Sequence, residues 1–497
     1  MIENLRRLAA TGFAYTAASV VSKLFAVALL PLYTAHVLKA DYGAAELLFA
    51  AVIAASIVVR FGLIEALLRI FYLPEEDGDE VISTGFAALF WSSGLAAALA
   101  LLASGPLTDL LFSSPGGSPL GAAVAVGTAV GAETDYAELV RIAIGGLWLL
   151  TLYEYLVTIL RLDERARAYF VITIAHVLVA IPLTVWLVVF KEMGAKGILL
   201  GSYASGIPFV GAFIWNWRAR LSLRPNLGLL RRMVRYGLPT MPAELSLYSL
   251  NFIDRIIIVR YVGLVEAGLY ALAFKFSQAM QLVVRGFQLA WPPLAYSIED
   301  DTEAARTYAV VVTLFTALCA FIVTGLWLQA RLIADLLADD SYFEAYRVIG
   351  LLSLGGALYG IYLALLVVLG RTKRTEYNLP ATAAGMVVNV ALNLVLVPTR
   401  GIEGAGIALV ASYLVVVVLM NFFTQRLFPV VWRYGRIAVI VAIGVGLVGF
   451  GEAVLPSRGL GAFLSRSAVW LAYLPLLYRG AFSAEERAFA ARLVNRR

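Results

Sequence analysis

Long apolar runs, separated by short polar segments, recur from one end of the chain to the other. A helix of about 20 residues reaches about 30 Å, the thickness of the bilayer hydrocarbon, so each run predicts a membrane-spanning helix. Counting runs of that length gives about fourteen spans, beginning near residues 11, 43, 83, 139, 169, 197, 237, 266, 307, 345, 378, 404, 434 and 460. The expected fold class is therefore an all-α polytopic membrane protein. Arg6 and Arg7 precede the first run in the manner of a signal peptide, but the run is long and no small-residue cleavage site follows, so it reads as a retained span.

The pattern repeats. A shift of 225 residues superposes Gly12 on Gly237, "DYG" at Asp41 on "EAG" at Glu266, "RFG" at Arg60 on "RGF" at Arg285, and Glu75 and Glu76 on Asp300 and Asp301. A second register, drifting from 208 to 210, places Arg165 on Lys373, Tyr169 on Tyr377, Gly194 on Gly404 and "SY" at Ser202 on "SY" at Ser412. Each half has six spans, an even number, so the halves should share orientation and be related by an axis along the membrane normal. The expected organisation is a six-helix lobe over 1–217, a basic cytoplasmic linker over 218–236, a second lobe over 237–425, and spans thirteen and fourteen with a basic tail over 426–497. The linker mixes apolar and basic residues, which suits a helix on the inner leaflet. The Gly-, Ser- and Pro-containing stretch from Leu107 to Thr134 is expected to be an external loop.

Composition agrees with this pattern: 61% of residues are hydrophobic and 14% charged, outside the soluble globular range. With the N-terminus inside, 24 of the 39 Lys and Arg fall in cytoplasmic segments and 9 in outer ones, which orients both termini to the cytoplasm of the plasma membrane. The net charge of +6 follows from this bias and carries no nucleic-acid meaning. One cysteine, Cys319, and two histidines, His36 and His176, argue against a disulfide framework, a metal site or a cofactor. His176 reads as a packing histidine. No catalytic constellation and no Walker lysine loop is visible, so neither an enzyme nor ATP-driven transport is expected.

The informative residues are charges inside the spans. At about 100° per residue, Glu244, Tyr248, Asn251 and Arg255 of span seven lie within about 60°. Thr16, Ser19, Lys23 and Thr34 of span one do the same, while Lys275, Gln278, Gln281, Arg285 and Gln288 of span eight cover about 140°. Arg60 is the corresponding charge of span two. Intramembrane charge is costly and marks function by default, so these four helices are expected to line one central cavity. Its cations, Lys23, Arg60, Arg255, Lys275 and Arg285, outnumber Glu244 and Asp254, which calls for an anionic guest, and forked guanidinium donors suit phosphate. Lys23, Arg60, Arg255, Lys275 and Arg285, with Asn251 and Gln278, are the candidate substrate-binding residues; Asp254, Glu244 and Glu154 are candidates for charge balance or ion coupling. Pro239 and Pro242 at the start of span seven, and Pro292 with Pro293 at the end of span eight, are candidate hinges.

Four stretches carry a family resemblance: "YTAASVVSKLFAVALLPLYTAHVLKADYGAAEL", "RYGLPTMPAELSLYSLNFIDRIIIVRYVGLVEAGLYALAFKF", "FQLAWPPLAYS" and "GIEGAGIALVASY". In these the chain resembles the Wzx-type oligosaccharide flippases of the multidrug/oligosaccharidyl-lipid/polysaccharide (MOP) exporter superfamily. The resemblance implies two six-helix lobes with an added helix pair, and export of a polyprenyl-diphosphate-linked oligosaccharide by alternating access for cell-surface polysaccharide. It also implies membrane lipid, a polysaccharide polymerase and glycosyltransferases as partners. Two further transport readings belong to the same superfamily: a multidrug or organic-cation antiporter, in which Glu244, Asp254 or Glu154 would bind drug or coupling ion, and a lipid II flippase. In lipid II flippases a basic residue of span one is followed by an acidic one, whereas Leu24 follows Lys23 here. A non-transporting scaffold for glycan assembly is the reading from outside transport.

Overall fold

The structure is a computed structural model that describes residues 29–112, 134–250, 252–372 and 374–480. The described residues form helices and turns and contain no strand. Ten helical segments among them are long and apolar enough to cross a membrane, so the chain is a multi-pass membrane protein. The difference from about fourteen spans has local causes. The helix Asn378–Leu427 contains two spans, because Gly401 leaves helical geometry at φ 57° and ψ −138°. Span seven is broken into Met241–Ser249 and Ile253–Val262. Span eight, Leu264–Ser297, places Lys275, Gln278, Gln281, Arg285 and Gln288 along one helix and so loses apolar character. The run from residue 11 lies almost wholly outside the described residues.

The chain divides into two compact units. The first holds the described residues up to Ala271 together with Val397–Gly401; the second holds those from Leu272 to Leu396 and from Ile402 onward.

In the first unit the helices are α1 (Leu30–His36), α2 (Lys39–Arg60), α3 (Leu63–Ile70), α4 (Gly78–Leu102), α5 (Ser104–Phe112), α6 (Tyr136–Leu162), α7 (Ala166–Val185, widened over Trp186–Phe190), α8 (Gly194–Ala204), α9 (Ile207–Asn216), α10 (Leu227–Gly237), α11 (Met241–Ser249) and α12 (Ile253–Val262). Aspartates start two of the spans: the side chain of Asp77 accepts from the Asp79 N–H at 3.0 Å, and that of Asp135 from the Glu138 N–H at 3.1 Å. Their apolar faces meet in a core of Leu67 and Ile70 from α3, Phe86 and Leu89 from α4, Tyr155 and Leu156 from α6, and Leu229 and Met233 from α10. The Tyr155 hydroxyl, fully inside this core, donates to the Ile82 carbonyl at 2.8 Å, which satisfies its polar end.

The linker forms a helix, α10, that packs one face on the first unit. Leu229 and Met233 of α10 are buried against α3 and α4; its Arg232 pairs with Glu76 at 2.7 Å, and Arg220, which precedes the helix, with Asp79 at 2.7 Å and Asp163 at 2.9 Å. The stretch expected as a loop from Leu107 begins inside helix α5; its remaining residues 113–133 lie outside the described residues.

The second unit contains most of α13 (Leu264–Ser297), then α14 (Asp301–Leu328), α15 (Ala330–Leu337), α16 (Tyr346–Arg371), the two spans of α17 (Asn378–Leu427), α18 (Tyr434–Val454) and α19 (Leu460–Gly480). Pro292 and Pro293 sit inside α13 and not at its end, since the helix continues to Ser297. Pro242 occupies the first turn of α11, where a missing N–H costs nothing, so it starts the helix without bending it. At the foot of α14, Arg371 pairs with Asp301 at 2.7 Å and donates to the Ile298 carbonyl at 2.7 Å.

Candidate functional site

Arg60 is the last residue of α2. The chain then turns through two left-handed residues, Phe61 at φ 48° and Gly62 at φ 67°. Gly62 is required twice over. Its dihedral suits glycine, and a Cβ there would overlap the Gly237 carbonyl oxygen, as a Cβ on Gly237 would overlap that of Gly62. This backbone crossing fixes the end of α2 against the start of span seven.

The crossing brings Arg60 between two carboxylates from other spans. One guanidinium nitrogen donates to Glu154 of α6 at 2.7 Å and the other to Glu244 of α11 at 3.2 Å, while Nε donates to the Ser56 carbonyl at 3.2 Å. The Arg60 side chain is 13% exposed and each glutamate 38%. One cation between two anions leaves a local charge of −1, so in this conformation Arg60 does not offer the open fork that phosphate recognition needs. The sequence count set only Glu244 and Asp254 against the five cations and left Glu154 out of the balance.

Span seven was expected as one continuous helix with Glu244, Tyr248, Asn251 and Arg255 on one stripe. It is instead two half-helices, α11 and α12, separated at Leu250–Phe252; Asn251 lies outside the described residues. Breaking backbone at this depth frees polar groups, and they must be satisfied. The Phe252 N–H donates to the Ser249 carbonyl at 3.2 Å and the Arg255 N–H to the Phe252 carbonyl at 3.0 Å, and Asp254 adds a second acceptor at the start of α12. Its carboxylate accepts from the Arg255 backbone N–H at 2.8 Å and from the Tyr270 hydroxyl. Asp254 is 1% exposed and Arg255 9%, so both are buried where a cavity-facing Arg255 was expected. On the other half-helix, the Tyr248 hydroxyl donates to the Ala50 carbonyl of α2 at 3.2 Å.

The two helices that begin with the repeated motifs meet reciprocally. A Cβ on Gly43 of α2 would overlap the Leu264 carbonyl oxygen, and one on Gly268 of α13 would overlap the Lys39 carbonyl oxygen. Gly268 is Gly43 shifted by 225, and Leu264 is Lys39 shifted by 225, so equivalent atoms exchange places. Nearby, Asp41 approaches the left-handed Gly194, and Glu266, its repeat partner, approaches the left-handed Gly401, three residues before the Gly404 that the second register pairs with Gly194.

The remaining candidates are scattered. Lys23 lies outside the described residues. On α13, Lys275 and Gln278 are half-buried and Arg285 is exposed. His176 is a packing residue: its Nε2 lies 3.1 Å from the Ser205 hydroxyl, and its ring sits against Tyr153 and Phe209. Sequence reasoning missed the break in span seven and the shared grip of Glu154 and Glu244 on Arg60. The first left a signal, the polar Asn251 and Asp254 between two apolar runs each of about half a span. The second left none, because residues 60, 154 and 244 are brought together only by packing.

A family model described as "Polysaccharide biosynthesis protein" matches residues 8–299, more than half of the chain. A comparison with curated protein sequences finds no relative. Among solved structures, the chain is similar to the lipid II flippase MurJ in an inward closed conformation, at a TM-score of 0.70 and 12% identity, covering 94% of this chain and 98% of that one. It is also similar to an inward-facing multidrug resistance MATE family transporter of the MOP superfamily, at 0.64 and 16%, covering 84% and 95%. A third likeness is to a MOP superfamily transporter from Pyrococcus furiosus, at 0.52 and 15%, covering 87% and 95%. At such identities the likeness is one of fold.

Proposed function

Because the chain belongs to the polysaccharide biosynthesis protein family and has the fold of MOP transporters, we propose that it is a flippase for a polyprenyl-diphosphate-linked oligosaccharide. It moves this lipid from the inner to the outer leaflet of the plasma membrane by alternating access, for polymerisation into cell-surface polysaccharide. A polysaccharide polymerase and the glycosyltransferases that build the oligosaccharide act beside it. In this reading both termini are cytoplasmic, two six-helix lobes (1–217 and 237–425) move about the 218–236 linker, and residues 426–497 form an added pair with a basic tail.

The observation that supports it best is Arg285. It is exposed on α13, 12 residues before that helix ends, and among the described residues it pairs with no carboxylate. Those 12 residues of helix span about 18 Å, which places the charge at membrane depth, where an uncompensated cation requires an anion. In this proposal Arg285 is the principal ligand of the diphosphate, supported by Lys275 and Gln278 and by the span-one and span-seven candidates Lys23, Asn251 and Arg255. Arg60 acts with Glu154 and Glu244 as a latch that orders the mouth of the first unit. The antiporter reading is less favoured, because Glu154 and Glu244 are already engaged by a guanidinium and Asp254 by a hydroxyl and a backbone N–H. Arg285→Ala should insert and accumulate normally yet abolish export in cells that depend on this chain for surface polysaccharide. Export at the parental level would refute the assignment of Arg285.

A further inference from the structure

We propose that the second unit carries a binding site for an ethanolamine-type phospholipid headgroup, built by α15, the α18–α19 turn and the first turns of α19, and independent of the transported substrate. A shallow cleft, open to its surroundings, is lined there by Gln329, Arg331, Asp335, Ser457, Arg458 and Arg466, among others. Its floor is a fixed ion network. Arg466, 3% exposed, donates to Glu452 at 2.9 Å and to the carbonyls of Leu328 and Pro456 at 3.0 Å each, and Arg331 pairs with the other Glu452 oxygen at 2.6 Å. With Glu452 held by two guanidiniums, the floor keeps a net positive charge.

The walls offer two kinds of partner. Arg458 lies over the Phe343 ring at 3.7 Å, exposed, and among the described residues it pairs with no carboxylate. With Arg331 it presents donors suited to a phosphodiester. Gln329 and Asp335 present acceptors. Gln329 is 9% exposed; its Nε2 donates to the Ser467 hydroxyl at 2.8 Å, while its buried Oε1 accepts no hydrogen bond. A buried acceptor left in that state is costly and awaits a donor. Asp335 is exposed and among the described residues pairs with no cation. A phosphate beside a primary ammonium answers both walls, and a quaternary ammonium, with no N–H, does not.

The acyl chains have a path. Phe463 lines the pocket, and Leu336, Leu460 and Leu464 beside it are 72%, 73% and 58% exposed, forming an apolar margin that lipid can cover. The positive-inside topology assigns this end of α14, α18 and α19 to the outer leaflet.

Native mass spectrometry of the full chain, equilibrated in micelles with dioleoyl phosphatidylethanolamine, phosphatidylcholine or phosphatidylglycerol, tests the site. The expected result is retention of phosphatidylethanolamine over the other two, with a loss of about tenfold in Arg458→Ala and in Asp335→Ala, as befits removal of one charge-assisted contact. Both residues are exposed, and unchanged thermal unfolding of the variants confirms that they fold. Equal retention of phosphatidylcholine would overturn the ammonium contact. Equal or stronger phosphatidylglycerol binding would make this a general anion site and overturn the headgroup assignment. Competition by water-soluble phosphoethanolamine at the same concentration would overturn the lipid source. Retention unchanged in both variants would place the lipid elsewhere and overturn the site.

Discussion

Arg60 and Asp254 show how differently two intramembrane charges are accommodated. Arg60 is shared by Glu154 and Glu244 from separate helices, so removing it leaves two carboxylates facing each other. A double-mutant cycle on Arg60→Ala and Glu154→Ala, measured by thermal unfolding in detergent, should give a coupling of about 1 to 2 kcal/mol, between the values for exposed and buried pairs because the glutamate is partly open. Additive effects would show that the pair contributes nothing. Asp254 instead works as a local acceptor for the Arg255 N–H and the Tyr270 hydroxyl. Asp254→Ala removes the carboxylate that the buried Tyr270 hydroxyl donates to, while the Arg255 N–H keeps the Phe252 carbonyl, and should destabilise the protein by about 1 to 2 kcal/mol. Its transport should keep the parental dependence on the proton or sodium gradient; a changed dependence at normal expression would show that Asp254 couples transport to an ion.

Small residues decide where helices cross. Gly43 and Gly268 let α2 and α13 approach backbone to backbone, and each would drive its Cβ into the opposite carbonyl if replaced by alanine. Gly43→Ala and Gly268→Ala should therefore each cost about 1 to 3 kcal/mol, and by similar amounts, since the contact is reciprocal. A large effect from one and none from the other would mean that the crossing is not symmetric in solution. The break between α11 and α12 belongs with this crossing. Discontinuous spans expose backbone groups and are tolerated where a cavity or protein covers them, and here the carbonyls of Ser249 and Phe252 and the Asp254 carboxylate accept from the N–H groups beside the break. The prolines that looked like hinges in the sequence lie in a helix's first turn and inside a helix that runs on past them.

Much of the architecture was legible in the chain because membrane spans are defined by length and apolarity, which need no knowledge of neighbours. The starts of α4, α6, α14 and α16 fall within a few residues of the apolar runs at 83, 139, 307 and 345. The 225-residue repeat was legible too, and Gly43 with Gly268 gives it a physical contact. Charge pairing was not. Counting cations against anions on helical faces treated Arg60 as surplus, because Glu154 lies 94 positions away on a span that carries no stripe. The break in span seven was hidden for a similar reason: a helical stripe of i, i+4 and i+7 residues reads through Asn251 whether or not the backbone is continuous there. The flippase reading rests on Arg285. Purified chain in liposomes, given a fluorescent polyprenyl-linked oligosaccharide as its diphosphate or its monophosphate, measures this directly through the fraction of label that reaches the far leaflet. Parental chain should translocate the diphosphate faster than the monophosphate, and Arg285→Ala should lose that preference together with most of its rate. Translocation by Arg285→Ala that matches the parental chain on both lipids would contradict a diphosphate held by this arginine.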